Sequence, residues 1–168
     1  GGSQGARGLN LAVPKALAGW MNLEIRHQCG EKLVDEARAA YAVSKLNARI
    51  EPFITDMADA YGWADLVISR AGASTLAELC AAGVASVLVP FPGAVDDHQA
   101  RNAEYLAEGG AARWLRQTDS LAADLAELLK PLLGDRRRLL DMARAARELA
   151  LPGAAERVAD IAYEEAHA

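Results

Sequence analysis

Four short segments hold the residues whose types and spacing could do chemistry. Gly1-Gly2-Ser3-Gln4-Gly5-Ala6 reads as a glycine-rich turn at a strand-to-helix junction. Glycines let the backbone approach a ligand, and the Ser3 hydroxyl and neighbouring amides can then donate to phosphate oxygens. The spacing matches neither the Walker loop nor the dinucleotide fingerprint, and a simple tight turn fits it equally well. Ser69-Arg70-Ala71-Gly72-Ala73-Ser74-Thr75-Leu76-Ala77-Glu78 reads as a second helix-opening loop. Gly72 permits the turn, Ser74 or Thr75 can cap the helix, and the amides of Ala73, Ser74 and Thr75 face an anion along the helix axis. Glu78, one turn on, repels phosphate but suits a bidentate hydrogen bond to a ribose diol. Ser74 and Glu78 also fit as plain helix-start residues.

The other two segments suit recognition of uncharged groups. Residues 90–102 place Asp96, Asp97, His98, Gln99 and Asn102 after an apolar run. Such a polar loop can bond sugar hydroxyls and reject analogues lacking them. Asp96, Asp97 and His98 are consecutive and cannot easily converge on one metal ion, and the sequence around His98 suits recognition better than catalysis. Glu51-Pro52-Phe53-Ile54-Thr55-Asp56-Met57 offers an apolar shelf, Ile54 and Met57, beside backbone groups able to read a uracil edge. Both side chains also suit plain core packing.

The elements that must position these loops alternate along the chain. Apolar runs at 23–27, 48–53, 65–69, 86–90 and 112–115 predict strands. Helical patterns occupy 6–19, 31–44, 56–63, 74–82, 97–108, 120–133, 135–150 and 154–166. Pro14 is expected to bend the first helix or shift its start. Leu121, Leu125, Leu128 and Leu132 mark one apolar helix face, and Gly83, Gly109 and Gly134 sit where helices should end. Strands alternating with helices predict an α/β, doubly wound parallel sheet that binds ligands at the carboxyl ends of its strands. The first, central strand of such a sheet would precede Gly1. Further residues upstream are therefore expected, because a sheet without that strand leaves backbone groups unpaired.

Composition narrows the function. A chain of 168 residues with 52% hydrophobic residues can build one core. Its net charge of −5 argues against a general nucleic-acid binder. The one basic run, Arg136-Arg137-Arg138, is read as a solvated helix face. No apolar run approaches a membrane span. Cys29 and Cys80 have no metal-ligand spacing, and Cys80 is expected to be a buried small hydrophobe. No cofactor or metal is expected, and the cytoplasm is the natural compartment.

Taken in order, these segments resemble the C-terminal half of the MurG-type glycosyltransferases of the GT-B fold. The matching stretches are Gly-Gly-Ser-Gln-Gly-Ala, His27-Gln28-Cys29-Gly30, Phe53-Ile54 with Asp56-Met57, Ser69 to Ala73 with Thr75 and Glu78, Pro90-Phe91-Pro92 with Asp96 to Gln99 and Asn102-Ala103, and Ala154 to Val158. They run nearly the length of the chain. The resemblance implies a domain spanning residues 1–168 that binds the donor UDP-N-acetylglucosamine in an inverting, metal-independent transferase of peptidoglycan synthesis. It implies that Ser3, with Gln4, meets the diphosphate, and that the Ile54 backbone reads uracil with Met57 nearby. Ala73, Ser74, Thr75, Leu76, Ala77 and Glu78 would hold the α-phosphate and ribose. Gln99 and His98 would hold the sugar. His27 and Gln28 match a family motif without an assigned contact. The lipid-linked muramoyl-pentapeptide acceptor, the general base and peripheral docking to the inner face of the cell membrane are implied for an N-terminal half outside these residues. Alone, this part is expected to be inactive. A non-catalytic donor-binding subunit, a UDP-sugar epimerase and a lipid galactosyltransferase are the other readings.

Overall fold

The computed structural model describes residues 6–150. The glycine turn with Ser3 and Gln4, the break at residues 151–153 and the final helix at 154–166 lie outside the described residues. Two parallel sheets carry the fold. Strands β1 (Arg26–Gln28) and β2 (Arg49–Glu51) pair in one. Strands β3 (Leu66–Ser69), β4 (Ala85–Leu88) and β5 (Ala112–Trp114) form the other, in that order. The helices between them are α1 (Arg7–Ala16), α2 (Val34–Ser44), α3 (Met57–Trp63), α4 (Ala73–Ala82), α5 (His98–Glu108), α6 (Leu121–Leu133) and α7 (Arg136–Glu148). The expected α/β class and parallel pairing hold. The described strands divide into two sheets rather than one, because no ladder joins β1 to β3.

Strand β4 is buried along its whole length, Ser86 included, as a strand covered on both faces of a parallel sheet is. Its side chains alternate between two cores. Ala85, Val87 and Val89 join Leu9 and Val13 of α1 and Leu121, Leu125, Leu129 and Leu132 of α6. Val84 and Leu88 join Leu76 and Leu79 of α4, Leu106 of α5 and Tyr61 of α3. A sheet covered on both faces leaves only its strand ends open to a ligand. Leu128, expected on the α6 seam, is only partly buried; Leu129 takes the deeper place.

Element ends differ from expectation for local reasons. Pro14 sits inside α1, which starts at Arg7 and ends at Ala16; its missing N–H leaves the Asn10 carbonyl without a helical donor. Gly30 has φ of 85°, and a 3-10 turn at Glu31–Leu33 precedes α2. Gly83, Gly109 and Gly134 are the C-caps of α4, α5 and α6 as expected. Gly83 needs its freedom: φ is +67°, and an added Cβ would stand 3.3 Å from Arg147 Cβ.

Candidate functional site

Hydrogen bonds join the loops after β3, β4 and β5 at the carboxyl ends of those strands. The loop after β3 leads into α4, whose N-cap is Gly72 with no side-chain cap. Neither Ser74 nor Thr75 caps the helix, as sequence reasoning proposed. Gly72 is extended (φ −69°, ψ 146°) and the helix starts one residue early, which puts both hydroxyls inside the first turn. Gly72 O takes the first helical bond, from Leu76 N at 3.0 Å. By helix geometry the amides of Ala73, Ser74 and Thr75 then have no acceptor within α4. The Leu76 side chain points into the core, whereas Ala77 and Glu78 are exposed.

Glu78 does not stand alone. The Tyr61 hydroxyl donates to its Oε2 at 2.8 Å. Tyr61 itself is 8% exposed, and burial, with help from the Glu78 carboxylate, holds its pKa well above the ordinary value. It therefore remains a donor, and the carboxylate accepts.

The loop after β2 is tied to β1. Ile54 is buried, and its N–H donates to Gln28 Oε1 at 3.0 Å. Gln28 is the last residue of β1, so its side chain bridges two strand ends. Met57 opens α3 and packs against the apolar cluster around Tyr61. Asp56 caps α3, accepting from Asp59 N at 2.8 Å.

A third set of bonds joins the loops around β4. Arg70 donates to the carbonyls of Val89 and Pro90, each at 3.1 Å, and to Gln117 Oε1 at 2.7 Å. Its guanidinium also lies 5.6 Å from the Phe91 ring centroid. Gln117 lies against Gly8, where an added Cβ would come within 2.5 Å of its Oε1. This one guanidinium thus connects β3, β4 and the loop after β5 next to the start of α1. Asn102 Nδ2 donates to Ala71 O at 3.0 Å. Gln99 Oε1 accepts from Phe91 N at 2.9 Å, which leaves its amide N–H groups as donors. His98 is the exposed first residue of α5. Before it, Asp96 and Asp97 adopt φ of 52° and 54°, an uncommon backbone for residues other than glycine. Arg116 pairs with Asp97 at 2.8 Å, and that hydrogen bond holds the carboxyl below its ordinary pKa. Among the described residues no three His, Cys, Asp or Glu side chains group as metal ligands.

His27, beside Gln28, belongs to a buried structural network. Its Nε2 lies 2.9 Å from Asn10 Oδ1 and its Nδ1 lies 2.8 Å from the Tyr41 hydroxyl. Asn10 Nδ2 donates to Cys29 O at 2.8 Å, so its Oδ1 faces the ring as an acceptor. His27 therefore carries its proton on Nε2, and Tyr41 donates to Nδ1. Burial pushes the His27 pKa down to about 4.

Sequence reasoning named the loops and missed their fasteners. Tyr61, Arg116 and Gln117 carry no motif signal. Arg70 and Asn102 lay inside quoted motifs without a role. Two hollows occur elsewhere: about 400 Å³ beside Arg113, Arg137 and Arg138, and about 240 Å³ beside Gly62, Val84 and Leu140. Neither includes any of the expected site residues.

Residues 1–162 match the glycosyltransferase family 28 C-terminal domain. The chain belongs to this family. A relative from Xanthomonas euvesicatoria pv. vesicatoria, named UDP-N-acetylglucosamine--N-acetylmuramyl-(pentapeptide) pyrophosphoryl-undecaprenol N-acetylglucosamine transferase, is 66% identical over 99% of this chain. A relative of the same name from Xylella fastidiosa is 59% identical over 98% of it. The chain spans 39% and 46% of the lengths of these proteins. The crystal structure of Acinetobacter baumannii MurG shares 46% identity, with a TM-score of 0.88 over 96% of this chain and 47% of that one. A kitacinnamycin glycotransferase, at 23% identity and a TM-score of 0.59, shares the fold of this family 28 domain.

Proposed function

We propose that this chain is the donor-binding domain, over residues 1–168, of an enzyme that transfers N-acetylglucosamine from UDP-N-acetylglucosamine to a lipid-linked muramoyl-pentapeptide. The observation that carries the reading is the cross-linking around the ends of β3 and β4. Tyr61 to Glu78, Arg70 to the end of β4, Asn102 to Ala71 and Gln99 to Phe91 fix the groups that this reading assigns to a nucleotide-sugar site. The relatives' names supply the donor and acceptor.

In this reading the Ile54 amide meets a uracil carbonyl, which takes the place of Gln28 Oε1. Met57 lies beside the base and Glu78 accepts from the ribose hydroxyls. The amides of Ala73, Ser74 and Thr75 face the diphosphate, joined by Ser3 and Gln4 from the glycine turn. Leu76 and Ala77 contribute backbone shape. The Gln99 amide N–H groups, with His98, bond the sugar hydroxyls.

The reaction follows from that placement. The acceptor hydroxyl attacks the anomeric carbon from the face opposite UDP, the bond from that carbon to the diphosphate oxygen breaks, and UDP leaves with the negative charge. Amides fixed at the start of α4 stabilise that charge without reorganising. The acceptor proton goes to a general base that this reading assigns to the part of the longer protein outside this chain. The outcome is inversion. The same division leaves this domain inactive alone and gives the longer protein its contact with the inner face of the cytoplasmic membrane.

Calorimetric titration of the natural full-length protein with UDP-N-acetylglucosamine and ADP-N-acetylglucosamine tests the reading. Binding of the uridine compound at least tenfold tighter is expected, and equal binding would overturn it.

A further inference from the structure

We propose that Tyr61 is the positioning residue that makes Glu78 selective for ribose over deoxyribose, an inference that rests on the donor-binding reading above. Glu78 is exposed on α4, and a free glutamate at such a place samples many rotamers. Immobilising it on ligand binding would cost side-chain entropy. The Tyr61 hydroxyl, 2.8 Å from Glu78 Oε2, removes that freedom before the ligand arrives. Its ring is anchored in the apolar cluster with Leu76 and Leu79, so the hydroxyl has a fixed origin. One lone-pair direction of Oε2 is used, and the remaining carboxylate directions stay open for a diol.

The connection runs further. Tyr61 and Met57 lie four residues apart on α3 and belong to the same apolar cluster. Helix α3 begins directly after the loop that presents the Ile54 amide. The helix that follows the base loop therefore also sets the carboxylate that meets the sugar of the nucleoside. A rigid spacing between base and ribose contacts is the condition for reading a nucleoside as one unit, and Tyr61 spans it with a single hydrogen bond. Neither Tyr61 nor Glu78 shows this in sequence, because they are 17 residues apart on different helices.

The test compares UDP with 2′-deoxy-UDP by calorimetry on the natural full-length protein and on its Tyr61→Phe and Glu78→Gln variants. Wild type should prefer UDP by tenfold or more. Tyr61→Phe keeps the ring in its cluster and should bring the two affinities to within about twofold, chiefly by weakening UDP. Glu78→Gln should do the same. A wild type with no preference would sink the ribose role of Glu78 itself. A wild type that discriminates beside a Tyr61→Phe variant with the same ratio would overturn the role of Tyr61 alone. NMR of the wild type labelled at tyrosine Cζ gives a readout that needs no folded Phe variant. The Tyr61 signal should shift on adding UDP and much less on adding 2′-deoxy-UDP; equal responses would also overturn the proposal.

Discussion

Acidification should weaken this domain through His27, by an amount the structure sets. The neutral ring is half-buried between Asn10 and Tyr41, and desolvation holds its pKa at about 4 against an ordinary 6.5. In the unfolded chain the ring takes its proton near pH 6.5, before the folded ring does. The unfolded state therefore binds more protons between about pH 6.5 and 4. Stability is fully present above that window, falls as pH drops through it, and levels off below. At about 1.4 kcal/mol per pKa unit the whole window is worth about 3 kcal/mol. The assay is urea unfolding from pH 7.5 to 4.5 of the wild type and of His27→Gln, which keeps a polar group but cannot take the proton. The difference between the two curves removes the contribution of every other titrating group. His27→Gln should be the less stable protein at pH 7.5, and its disadvantage should shrink by about 2 kcal/mol or more on reaching pH 4.5. Parallel curves would refute the account, since they would mean that His27 has the same proton affinity folded and unfolded. Tyr41→Phe removes the donor to Nδ1 and should cost about 1–2 kcal/mol at neutral pH.

The other expectations concern the site and the core. Gln99→Ala should weaken UDP-N-acetylglucosamine binding about tenfold while leaving UDP within about threefold, because the lost amide faces the sugar; an equal loss for both ligands would contradict that placement. Asn102→Ala should weaken both ligands, since Nδ2 holds the Ala71 carbonyl at the turn into α4, and titration with UDP alone measures it. Leu125→Ala deletes a side chain with 0% exposure under α1 and should cost about 2–5 kcal/mol in denaturant unfolding. Gly83→Ala places a Cβ at φ of +67° and 3.3 Å from Arg147 Cβ, and should lower stability by about 1–2 kcal/mol in the same assay.

Much of the frame was legible in the residues alone. Strand β4 and the residues after it read as a mostly apolar run because both its faces are covered, and such a run needs no partner to be recognised. The caps Gly83, Gly109 and Gly134 follow from local backbone needs at helix ends. That Ile54 follows β2, Glu78 follows β3 and Gln99 follows β4 was legible from the alternation of strands and helices. What stayed hidden has a common cause. Gln28 meets Ile54 across 26 residues, Asn102 meets Ala71 across 31, and Arg70 meets Gln117 across 47. Each is one hydrogen bond between groups far apart in sequence, with no period and no local propensity to announce it.

The amino-acid sequence by itself determined the α/β alternation, the apolar faces and the polar loops, because these depend on neighbours a few residues apart. The tertiary structure alone decided that Gly72 rather than Ser74 or Thr75 caps α4, that His27 is a neutral, half-buried member of a hydrogen-bond network, and that Tyr61 holds Glu78. Those outcomes depend on which groups the packed helices bring within about 3 Å of each other, and on the burial that makes each such pairing worth keeping.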